Sequence, residues 1–127
     1  MRSGVLVLFS VSFLCDAIAG EADVVAVDAN CDAGASCDFH VTVRHADEGW
    51  EHYADRWDVL TLDGEVLATR ELAHPHDNEQ PFTRSLRGVR IPDGVDEVVV
   101  RAGDSVHGYG GKTMAIMLHR NSGDPAR

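Results

Sequence analysis

Seven histidines, His40, His45, His52, His74, His76, His107 and His119, are the side chains whose type and spacing could do chemistry here. His74-Pro75-His76 is the sharpest unit. The proline ring fixes one backbone torsion, and the residue before a proline is held extended, so two imidazoles leave one stiff stretch. Asp77 and Glu79 follow at once and add carboxylate oxygens. Imidazole and carboxylate together suit Zn²⁺ or Cu²⁺. His107 stands in the glycine-rich connection Gly103–Lys112 and supplies a third ligand if the two loops share one end of the fold. The expected metal set is therefore His74, His76 and His107. The competing reading makes His76 a turn cap and leaves Asp77, Asn78 and Glu79 solvated. His40 lies on the polar face of a strand and His45 at its end, so both are expected at the surface. In the connection around Trp50, His52 and Tyr53, Trp50 or Tyr53 is expected to fold over an open end of the sandwich as a lid on the core.

Other chemistries find less support. Gly110-Gly111-Lys112-Thr113 lacks the glycine that a phosphate loop needs at the position of Val106. Neither Ser85 nor Ser105 sits in a nucleophile elbow. No residue is assigned a catalytic or cofactor-binding role, and the chain leans away from being an enzyme. A type 1 copper centre needs a thiolate, whereas Cys31 and Cys37 are best explained as a disulfide across a short, small-residue loop.

The compartment supports that pairing. Arg2 is a charged n-region, Val5 to Leu14 a mostly apolar h-region, and Ala17-Ile18-Ala19 a small-x-small cleavage site. Residues 1–19 read as a signal peptide, cut before Gly20 or Glu21. The apolar run is too short to span a bilayer, which takes roughly 20 residues. Cys15 is not read as a lipid anchor, because Ser12-Phe13-Leu14 lacks a Leu-small-small run. Removing 19 of 127 residues leaves 108, one domain's worth. Arg2 and Asp16 cancel, so the net charge stays at −10. A chain that acidic repels phosphate backbones, so nucleic acid is excluded as a partner, and no membrane insertion is expected after cleavage.

The elements that must position these residues follow a period of two. Strands are expected over 23–28, 38–45, 56–62, 65–72, 82–91, 95–102 and 113–119. Phe39, Val41 and Val43 share one face of the second of these. Asp63-Gly64 predicts a two-residue type I′ hairpin that pairs Leu60 with Leu67, Trp57 with Arg70 and Arg56 with Glu71. Gly88 marks a bulge, and Val98-Val99-Val100 suggests burial on both faces. Trp57, Phe39, Val41, Val43, Val59, Val98, Val100 and Ile116 are the expected core. About seven short strands in 20–120, with a polar tail over 121–127, give an all-β, two-layer antiparallel sandwich of immunoglobulin-like type.

His74 to Leu86 (HPHDNEQPFTRSL) and Asp104 to Gly108 (DSVHG) resemble segments of small exported bacterial β-rich proteins of unassigned function. The resemblance implies an exported β-rich domain and carries over no catalytic residue. Taken together, the sequence reads as a periplasmic or secreted β-sandwich binding module whose partner is a divalent metal ion or another exported protein. The alternatives are a small metal-dependent enzyme, with Glu79 as base, and a structural or protein-interaction domain without metal.

Overall fold

The computed structural model describes residues 21–76 and 79–119. The signal segment with Cys15, the tail, and Asp77 and Asn78 of the expected metal loop lie outside the described residues. The elements run β1 (Asp23–Cys31), β2 (Ser36–Arg44), β3 (Ala54–Leu60), β4 (Val66–Glu71), β5 (Phe82–Arg90), β6 (Glu97–Asp104), β7 (Gly108–Tyr109) and β8 (Met114–Met117). They form two antiparallel sheets. One has the order β1-β2-β5; in the other β4-β3-β6 is extended at β6 by both β7 and β8. Each short run of alternating apolar and polar residues can bury only one face, so the two sheets share a single core. Phe39, Val41 and Val43 of β2 meet Trp57 and Val59 of β3 and Val98 and Val100 of β6, all with 0% exposure. Ile116 packs against this cluster while staying partly exposed.

Several local expectations need correction. Val99 is only partly buried between fully buried neighbours, so β6 alternates and does not bury both faces. At the β3–β4 hairpin, Arg56 faces Glu71 and Trp57 faces Arg70 as expected, but Leu60 faces Val66 rather than Leu67. The Gly64 N–H reaches the Thr61 carbonyl, the Thr61 N–H reaches the Glu65 carbonyl, and Gly64 has φ 96°. This is a three-residue loop closed by a left-handed glycine with its bulge, a common alternative to the two-residue turn. Thr61 favours it, because its hydroxyl accepts the Glu65 N–H and donates to Asp63. Gly88, at φ 71°, sits in the expected bulge: the ladder slips between Cys37 and Phe39, and the Asp38 carboxylate accepts the Gly88 N–H. The β1–β2 hairpin is closed by the Cys31–Cys37 disulfide between directly opposed residues.

Strand direction places the loops. The C-terminal ends of β2 and β6 and the N-terminal end of β3 come to one end of the sandwich, since β3 runs antiparallel to β6 and Ala54 faces Asp104. The 45–53 connection and the 105–107 turn therefore meet there. Mutual hydrogen bonds join them: the Ser105 N–H to the Tyr53 carbonyl at 2.9 Å, and the Tyr53 N–H to the Ser105 hydroxyl at 3.1 Å.

Candidate metal centre

The inward parity of β2 continues past its last apolar residue. After Phe39, Val41 and Val43 the next inward position is His45, with 2% exposure. The same holds in β6, where Val98, Val100 and Ala102 are followed by Asp104, also at 2%. Two polar side chains thus take core positions at one end of the sandwich, where burial is costly unless a partner is supplied.

Their partners are arranged in a definite order. Asp47 Oδ1 lies 2.5 Å from His45 Nδ1 and accepts the Ala54 N–H, while its Oδ2 accepts the His76 N–H. Glu48 Oε1 lies 3.0 Å from His52 Nδ1. A carboxylate only accepts, so a neutral ring that faces one through Nδ1 carries its proton there and leaves the lone pair on Nε2. Those lone pairs converge on one oxygen: Asp104 Oδ2 is 3.4 Å from His45 Nε2 and 3.5 Å from His52 Nε2. The other Asp104 oxygen is occupied by the Val106 and His107 N–H groups. Burial alone would raise the Asp104 pKa, but these backbone bonds, with the nearby imidazoles, hold it below the ordinary carboxylate value.

His45 Nε2 and Asp104 Oδ2 are both buried and lack a hydrogen-bond partner. In the neutral ring both atoms are acceptors, so neither can satisfy the other. Ligands of a tetrahedral ion at about 2.0–2.1 Å lie roughly 3.4 Å apart, close to the two distances from imidazole nitrogen to Asp104 Oδ2. His45, His52 and Asp104 each offer a ligand atom within 4.8 Å of the others, so the three together could hold a metal ion. Carboxylates behind the imidazoles fix ring orientation and tautomer, the usual support of a histidine-ligated ion. His107 stands beside the group: its Nδ1 is 3.4 Å from Asp104 Oδ2, its ring centroid is 4.9 Å from that of His52, and its side chain is 43% exposed.

Of the residues expected from sequence, His107 joins this cluster, whereas His74 and His76 lie together with ring centroids 4.7 Å apart. His74 is exposed and its Nδ1 lies 3.0 Å from the Pro75 carbonyl oxygen. His76 is buried, stacked on Phe82 at 3.9 Å, with Nδ1 3.9 Å from Asp47 Oδ2. Burial, aided by Arg84, lowers its pKa. His45 is not the surface residue expected of it. In the 50–53 segment the buried ring is His52, while Trp50 is 67% exposed and so does not close over the core. Strand parity was the available signal for His45 and Asp104; nothing in the spacing of His52 marks it out.

A protein of Halomicrobium mukohataei named "Putative lipoprotein" is 46% identical to this chain over 96 residues, which make up 76% of the chain and 47% of that protein. The chain spans about half the length of this relative. No family model and no solved structure matches. Among the described residues, no helix is long and apolar enough to cross a membrane.

Proposed function

We propose that this chain is an exported β-sandwich module that binds one divalent transition-metal ion, Zn²⁺ or Cu²⁺, through His45 Nε2, His52 Nε2 and Asp104 Oδ2. The observation that carries the reading is the convergence of two carboxylate-backed imidazoles on a buried carboxylate oxygen that accepts no hydrogen bond. An ion supplies what the site lacks, a positive charge between three acceptors. His107 belongs beside the ion in this reading, while His74 and His76 stand outside its immediate ligands, because His76 faces Asp47 and Phe82. Export is supported by the name of the Halomicrobium relative and by the disulfide. The sheet order fits an immunoglobulin-like sandwich in which the fourth strand has moved from the edge of the first sheet to pair with the third.

A small metal-dependent enzyme is the second reading, favoured by the donor set itself: three protein ligands are the number that catalytic zinc sites use. Calorimetric titration tests the binding. Wild type and a His74→Ala/His76→Ala variant should each take up one equivalent, and a His45→Ala/His52→Ala variant should take up none. Loss of binding in the His74/His76 variant alone would return the site to the proline loop.

A further inference from the structure

Resting on that reading, we infer that the ion keeps a fourth position which is exchangeable, taken by water or a small neutral nitrogen donor, with His107 as its internal competitor. The four side chains are not held alike. His45 and Asp104 have fully buried side chains, His52 is 11% exposed, and His107 is 43% exposed. His45 and His52 each rest on a carboxylate through Nδ1. His107 instead turns Nδ1 toward Asp104, and no carboxylate stands behind its Nε2 among the described contacts. It also rides on a three-residue turn between β6 and β7, ahead of Gly108 in the left-handed region at φ 69°. A ligand without an orienting partner on a solvent-facing turn can leave while three fixed donors retain the ion.

Charge decides the class of ligand. A divalent ion with Asp104 keeps one positive charge, but Asp47 and Glu48 stand directly behind the imidazoles, and the chain carries −10 overall. Neutral donors are therefore preferred to anions at the open position.

The test uses the full mature protein loaded with one equivalent of Cu²⁺ and followed by visible absorption, with free imidazole and azide as probes. Wild type should respond to imidazole. His107→Ala should keep its copper and respond at about tenfold lower imidazole, as expected if the displaced side chain holds the position some nine-tenths of the time. Azide should perturb both proteins less than imidazole at equal concentration. His107→Ala losing its copper, as a His45→Ala protein should, would make His107 a fixed ligand and overturn the inference. Spectra indifferent to imidazole in both proteins would show a closed site and overturn it too, and a stronger response to azide would overturn the ligand class. A wild type that takes up no copper would instead remove the metal reading beneath it. Because His107 is on an exposed turn, circular dichroism should confirm an unchanged fold in its variant.

Discussion

Burial on its own would favour a protonated Asp104, yet the His107 and Val106 N–H groups and the facing imidazoles keep it ionised. The site thus presents a formed carboxylate, so acid competes with a metal at the imidazole nitrogens. Metal affinity should fall on acidification, because ligation requires a deprotonated imidazole nitrogen. Calorimetry at pH 5.5 and 7.5 checks this; equal affinity at the two values would contradict imidazole ligation. Asp47 tests the layer behind. It orients the His45 ring at 2.5 Å without reaching the proposed ion itself. Asp47→Asn should weaken metal binding about 10–100-fold while leaving the stoichiometry at one, as loss of a supporting carboxylate does elsewhere. Unchanged affinity would mean that the ring is held by packing alone.

At the level of elements, the outer face of β3 carries a second buried carboxylate with a different purpose. Burial pushes Asp58 up, but hydrogen bonds from Thr69, Tyr109 and Arg101 outweigh it and hold the pKa below the ordinary value. Tyr109 lies under the Arg101 guanidinium at 3.7 Å and donates its hydroxyl to Asp58, so β7 is fastened across β6 to β3. A depressed carboxylate stabilises the fold above its unfolded pKa of about 3.9, and that contribution fades as pH falls through the lower folded value. Asp58→Asn should cost about 1–3 kcal/mol at pH 7, and the gap from wild type should shrink below pH 4. Denaturant melts at pH 7 and pH 3 measure it; a gap constant with pH would rule out the ionic role.

The strands and their inner faces were legible because alternation with period two is a direct imprint of one-sided burial. Phe39, Val41 and Val43 announced β2, and Gly88 its partner's bulge. The hairpin loop is one residue longer than Asp-Gly alone indicates, because that pair suits both loop lengths and the Thr61 hydroxyl that selects the longer one lies outside it. The site was half legible. His45 and Asp104 continue an inward parity, a pattern that can be read in sequence once polar residues are admitted to core positions. His52 reaches the same point from a loop whose path depends on the Tyr53–Ser105 contact between segments 52 residues apart. No local pattern encodes such a contact, and the stiffness of His74-Pro75-His76 drew attention to a neighbouring surface.

Over the whole molecule, one end of a small acidic sandwich gathers His45, His52, His76 and Asp104, and the disulfide secures the β1–β2 hairpin at the opposite end of β2. The proposed export would give these features a common setting. Intact mass of the exported protein should correspond to a chain beginning at Gly20 or Glu21 with Cys31 and Cys37 oxidised. A mass that begins at Cys15 and carries acyl chains would instead make this protein lipid-anchored and overturn the reading of Ala17-Ile18-Ala19.

The central claim is that an ion sits between His45, His52 and Asp104, and anomalous diffraction at the metal edge from crystals grown with one equivalent of Zn²⁺ tests it most directly. The account predicts one strong peak about 2.0–2.2 Å from His45 Nε2, His52 Nε2 and Asp104 Oδ2. A peak between His74 and His76, or none at the Asp104 end of the sandwich, would contradict it.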